Sequence, residues 1–216
     1  MLLSLGVLGE PTAAARSLLD PLLETQGEEK HALVRYAAAI SLAWLFREET
    51  PEAAVRVLVD LLTENVPEWL FDAYVELPWV DGRLSHVAGR TLRRRLSPER
   101  LRFALPRLFG ALKTVDGYDV DEVIRTLLYV AFGRSKLPEQ VAAQNLTEEQ
   151  RAVLRAIAQS HSAWHTPPGV YSQMGTQLVV GTTGYTPDPD SMTVLNDDLQ
   201  RLGLPSSQHD LLDFLV

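Results

Sequence analysis

Along the first part of the chain, apolar residues return at helical spacing. Leu33, Ala37, Ile40 and Trp44 recur at i, i+4, i+7 and i+11, which puts them on one face of a helix. Val55, Leu58, Val59 and Leu62 form a second such run. Between the two runs, Thr50-Pro51 predicts a helix start: Thr50 is a capping side chain, and Pro51 takes the first helical position, where its missing N–H costs nothing. Ser97-Pro98-Glu99 repeats that device. The apolar run over 37–46 is about half the roughly 18 residues a membrane span needs and holds Ser41, so it predicts a buried core helix. Asp119-Val-Asp-Glu122 has capping-box spacing and predicts a helix through about Phe132. Thr147-Glu-Glu-Gln150 predicts another to about Ser160, with Val153, Leu154 and Ile157 inward. Between them, 136–145 reads as a connector with one helical turn. After His165, Pro, Gly and Thr concentrate and predict a long ordered loop over 166–190, with Gln177–Val180 its one strand candidate. Two final helices are expected near Ser191–Leu202 and Ser207–Leu215, Ser207 and Asp210 forming a further cap.

Internal similarity organises these elements. With Pro11 set against Pro51, Ala13, Ala14, Arg16, Leu18, Asp20 and Leu22 fall opposite Ala53, Ala54, Arg56, Leu58, Asp60 and Leu62, a period of 40 residues. A weaker third copy runs from Val87 to Leu112, with Pro98 in the place of Pro51. Each helix pair carries an apolar face it cannot bury alone, so neighbours must stack. Val34, Arg35, Ala37, Ala38, Leu42, Pro51, Glu52, Ala53, Val55, Leu58 and Leu62 carry a pattern that resembles the HEAT-repeat family, in the short bacterial form first named from phycobilisome lyases. The resemblance covers about residues 1–113 and departs from the family at Ala43-Trp44, where a glycine is common. It implies an all-α fold: an α-solenoid of antiparallel helix pairs over 1–135, closed by a C-terminal helical cap over 136–216. Residues 2–8 match only the second half of a repeat's first helix, so upstream repeats or self-association are expected to complete that end.

Composition narrows the function. Hydrophobic residues make up 46% of the chain and charged residues 22%, values of a globular protein. The absence of cysteine excludes disulfides, thiolate metal sites and a cysteine nucleophile. The N-terminal segment has no basic region of the kind a secretory leader carries, and the chain is read as cytoplasmic, with no membrane contact. Net charge is −8, yet eight arginines stand between Arg83 and Arg107 against Glu99 alone, leaving 12 basic and 27 acidic side chains elsewhere. On one continuous helix Arg83, Arg90 and Arg94 share a face within about 40°, with Leu84, Ala88 and Leu92 on another. In HEAT-like arrays the second helix of each repeat lines the concave side. Here those are about 12–24, 51–64 and 98–113, which lines up Arg16, Arg56, Arg100 and Arg107. Guanidinium groups grip carboxylates or phosphates bidentately. The net charge opposes nucleic acid, so an acidic protein partner is expected. The competing expectation is that these arginines are paired within the fold. Trp79, crowded with Trp69, Phe71 and Tyr74, is a further partner-binding candidate, although an irregular helix filling the gap between the second and third repeats is the plainer expectation.

Catalytic motifs are missing. His161 and His165 lie four apart but lack a third ligand. Asp119, Asp121 and Glu122 do not follow calcium-loop spacing and are read as helix-capping carboxylates. Asp188 and Asp190 read as turn formers, GTTGY at 181–185 has no phosphate-loop spacing, and no serine stands in a nucleophile elbow. No cofactor, metal or catalytic residue is expected. The function that follows is a non-catalytic scaffold or adaptor that binds a protein partner through a concave, arginine-rich surface. The resemblance leaves two alternatives open: an enzyme or enzyme subunit of the lyase or DNA-repair type, and a structural segment of a larger repeat protein.

Overall fold

The computed structural model describes residues 10–24, 29–63, 74–77, 80–114, 118–133, 143–164 and 194–216. They are helical apart from one short hairpin. Trp69, Phe71, Trp79, His165, the half repeat at 2–8, and loop 166–190 with its strand candidate lie outside the described residues.

Helix α1 (Ala13–Leu19) opens on Thr12, whose hydroxyl accepts from the Ala15 N–H at 3.1 Å. It tightens into a 3-10 turn over Asp20–Glu24, because Pro21 has no N–H with which to continue the α pattern. Helix α2 (Glu29–Phe46) ends at Arg47, a non-glycine residue at φ 48°, followed by a 3-10 turn over Arg47–Glu49. Helix α3 (Glu52–Leu62) has Pro51 as its N-cap. Thr50 does not cap it: the buried hydroxyl donates back to the Arg47 carbonyl and closes the turn instead.

Strands β1 (Tyr74–Leu77) and β2 (Val80–Arg83) pair antiparallel, Tyr74 opposite Arg83 and Leu77 opposite Val80. Where an irregular helix is expected, residues 74–77 and 80–83 form a two-stranded ribbon packed on α4 (Leu84–Arg95). Tyr-Val-Glu-Leu has the aromatic and branched alternation that suits a strand. Arg83 belongs to β2 and not to α4, so it does not share the helical face of Arg90 and Arg94.

The stretch expected as one helix over about 98–113 is broken into α5 (Pro98–Leu101), a 3-10 turn over Arg102–Ala104, and α6 (Leu105–Ala111). Pro106 explains the break, since it lacks the N–H that would bond the Arg102 carbonyl. Ser97 precedes α5 but bonds no backbone N–H there. The carboxyl of Glu99 is held below its ordinary range by its own backbone N–H and then by the Ser97 hydroxyl.

Helices α7 (Tyr118–Phe132), α8 (Glu148–Gln159), α9 (His161–Trp164), α10 (Val194–Leu202) and α11 (Gln208–Phe214) follow, with a 3-10 turn over Ala143–Asn145 before α8. The α8 capping box forms as its sequence predicts. The Gln150 N–H donates to the Thr147 hydroxyl at 3.2 Å, and the Thr147 N–H donates to Gln150 Oε1 at 2.9 Å. Ser207 caps α11 in the same way, accepting from the Asp210 N–H at 3.1 Å.

Burial follows the apolar pattern with one correction. Val55, Leu58, Val59 and Leu62 of α3 are wholly buried, as are Val153, Leu154 and Ile157 of α8; Leu84, Ala88 and Leu92 of α4 face inward as expected. Helix α2 does not bury the single face its spacing suggests. Ala38, Ala39, Ile40, Ser41, Leu42 and Ala43 are buried in succession, while Leu33 is 43% exposed. Small residues let neighbours close around α2: it packs on α1, α3 and α4. Helix α4 also packs on α3 and α7, and α7 in turn meets α6, α8 and α10. Helix α11 lies against α8.

Candidate functional site

Of the arginines expected to face a partner, Arg16, Arg56, Arg100 and Arg107 each reach a neighbouring element. The Arg16 guanidinium donates to the Glu49 carbonyl at 2.9 Å, lies 3.5 Å from Asp20 and covers the Phe46 ring at 5.1 Å. Arg56 pairs with Glu52 at 2.6 Å and covers Phe103 at 5.2 Å. Arg100 donates to the carbonyls of Glu48 and Thr50, and Arg107 pairs with Asp60. Arg102 reaches Glu149 at 3.4 Å. Arg90 is half-buried and Arg94 exposed, and both interact within the fold. Arg16, Arg56, Arg100, Arg102 and Arg107 therefore brace one element on the next. Arg16, Arg56 and Arg107 nevertheless keep 39%, 54% and 45% of their side-chain surface in solvent.

Arg93 and Arg95 are drawn further in. Arg95 stacks on Trp44 at 3.7 Å, and Trp44 Nε1 donates to the Thr91 hydroxyl at 3.2 Å, tying α4 to α2. Burial, and then the charges of Arg47 and Arg94, lower the pKa of Arg95. Arg93 donates to Glu122 Oε2 at 2.7 Å and to the Thr126 hydroxyl at 3.0 Å. Burial lowers its pKa, opposed by the Glu122 carboxylate.

Glu122 is 2% exposed and is not the capping carboxylate its position suggests. It forms the centre of a chain of charges: Arg93 on one side and, at 3.5 Å, Arg125 on the other. Arg125 pairs with Asp198 at 2.8 Å, and Asp198 with Arg201 at 3.0 Å, so α10 is joined to α7. Burial works against the charge on Arg125, but the hydrogen bond to Asp198 and the nearby carboxylates outweigh it and raise its pKa. In sequence Glu122 looks like any carboxylate near a helix's start, and nothing there marks its burial; in the fold it packs so closely on Gly89 that a Cβ there would lie 2.5 Å from Glu122 Oε2.

A groove of about 370 Å³ opens between α6 and α8. Phe109, Leu112, Ala152, Ala156 and Ser160 line it, with Lys113, Arg155 and Gln159 at its polar edge. Unlike the bracing arginines, Lys113 and Arg155 have no ion-pair partner among the described residues. No motif in the sequence marked either one.

Among the described residues no group of three or more His, Asp or Glu side chains is arranged to hold a metal ion, and no helix is long and apolar enough to cross a membrane. Comparison with protein-family models, with curated proteins and with solved structures finds no match to this chain.

Proposed function

We propose that the chain is a HEAT-like array of antiparallel helix pairs that serves as a non-catalytic scaffold, binding an acidic protein partner on the side formed by its second helices. The observation that carries this reading is one repeated spacing. Trp44 meets Thr91 and Asp60 meets Arg107, each pair 47 residues apart. The first contact joins α2 to α4, the first helices of two successive pairs, and the second joins α3 to α6, the second helices. Arg56 over Phe103 and Arg102 beside Glu149 keep the same offset. One offset serving both layers is what a stack of like units requires.

Arg16, Arg56 and Arg107 suit the partner site because they are held in place yet partly exposed. A guanidinium already oriented by Glu52 or Asp60 loses less freedom when a partner's carboxylate approaches. Affinity purification from native lysate, with the purified chain as bait, tests the reading. A specific protein is expected to be retained at low salt and lost at high salt, and lost also when Arg56→Glu and Arg107→Glu are combined in a variant of unchanged helicity. Retention that the double variant leaves unaltered refutes this surface. Recovery of nucleic acid or pigment alone refutes the scaffold and favours the enzymatic alternative.

A further inference from the structure

We propose that the groove between α6 and α8 seats an acidic amphipathic helix of a protein partner. The proposal rests on the scaffold reading and names a specific docking point within it. Leu112 and Ser160 form a buried floor. The Ser160 hydroxyl donates to the Leu112 carbonyl at 3.1 Å and accepts from the Ala163 N–H at 3.3 Å, so the floor's one hydroxyl is already satisfied and the surface it leaves is apolar. Ala152 and Ala156 stand one turn apart on α8, and their short side chains allow another helix to approach closely. Phe109 supplies the opposite wall.

Charge identifies the occupant. Of the other arginines on the two helices that border the groove, Arg107 already pairs with Asp60 and Arg151 with Glu148. Lys113 and Arg155 are exposed and stand at the groove with no ion-pair partner among the described residues, in a chain whose net charge is −8. Two uncompensated cations beside an apolar slot complement a helix with apolar anchors at i, i+3 or i+4, and i+7, flanked by Asp or Glu.

The test uses the full chain and a fluorescein-labelled probe of about 12 residues, roughly three helical turns, with leucine anchors and flanking glutamates. Its counterpart with lysines for the glutamates and a shuffled version serve as controls. Fluorescence anisotropy is expected to detect the glutamate peptide alone. Lys113→Glu combined with Arg155→Glu should weaken its binding at least about tenfold. Ala156→Trp, which fills the slot without changing charge, should weaken it similarly, each variant being checked for wild-type helicity and melting. Failure of the glutamate peptide to bind, equal binding of the lysine peptide, or unchanged affinity in both variants overturns the proposal. Self-association of the wild type that both variants abolish also overturns it, by giving the groove to a second copy. The Arg56/Arg107 purification remains independent of this outcome, so loss of the groove and loss of the scaffold reading are read separately.

Discussion

Glu122 stands one turn into α7, yet only 3% of its side chain reaches solvent, and two arginines share it. A buried ion pair contributes little relative to a well-packed apolar pair, but breaking it leaves an uncompensated charge. Arg93→Ala should therefore destabilise the protein by about 3 kcal/mol, read as a lower midpoint in urea denaturation. Replacing both partners, Arg93→Met with Glu122→Leu, should recover much of that loss. A single-variant effect below about 1 kcal/mol would show that Arg125 alone satisfies the carboxylate. Tyr36 gives a second test at this scale. Burial raises its phenol pKa, so the folded state resists ionisation that the unfolded chain undergoes near pH 10. Stability should be unaffected by Tyr36 below about pH 10 and fall as pH rises above it. Tyr36→Phe should flatten that alkaline slope in pH-dependent melting.

The elements show why two helical glycines differ, Gly89 in the middle of α4 and Gly110 in the last turn of α6. In α4 a Cβ on Gly89 would meet Glu122 Oε2 at 2.5 Å, Arg93 Nη1 at 3.1 Å and Glu122 Cβ at 3.4 Å. In α6 a Cβ on Gly110 would meet nothing within 4 Å. Helix propensity favours alanine over glycine by about 1 kcal/mol in both places. Gly110→Ala should therefore gain up to about 1 kcal/mol, while Gly89→Ala should lose about 1–2 kcal/mol because the displaced carboxylate is clamped by Arg93. Thermal melts of the two variants, moving in opposite directions, check the packing of α4 on α7 without touching a charged residue. Prolines have comparable effects on the helices themselves. Pro21 and Pro106 interrupt the helical stretches over 13–24 and 98–111, whereas Glu52–Leu62 has no proline and runs unbroken. Gly203 ends α10 at φ 79°, letting the Leu204 N–H reach back to the Leu199 carbonyl at 2.9 Å.

Across the whole molecule, contacts run from each helix to its next neighbours: α2 to α4, α4 to α7, α7 to α10, with arginines at each step. In the array proposed above, stability would be the sum of unit and interface terms, so elements with neighbours on both sides should open last. Native-state hydrogen exchange should find the amides of α7 around Val123–Leu127 the most protected, with α1 and α11 exchanging faster. Uniform protection from end to end would mean one cooperative core and would count against the array. Arg100 bears on the same point. It holds the carbonyls of Glu48 and Thr50, so charge reversal there disturbs the α2–α3 turn as well as the surface, and Arg56 with Arg107 gives the cleaner binding test.

What the sequence by itself determined lies within about one helical turn. The Thr147–Gln150 capping box, the Ser207 cap and the buried faces of α3 and α8 depend on residues three or four positions apart, where backbone geometry sets the neighbours. Thr50 misled because a capping hydroxyl can equally close the preceding turn, and both bonds are local. The hairpin at 74–83 was hidden by its short length and by the aromatic residues around it. Tertiary structure alone decided which arginines are held and by what. Arg93 and Arg107 look alike in sequence, but their partners lie 29 and 47 residues away, and only the stacking of helices brings those carboxylates within reach. The same stacking buried Glu122 and left Lys113 and Arg155 facing an apolar groove, because charge and exposure at these positions are properties of the neighbouring helix rather than of the residue itself.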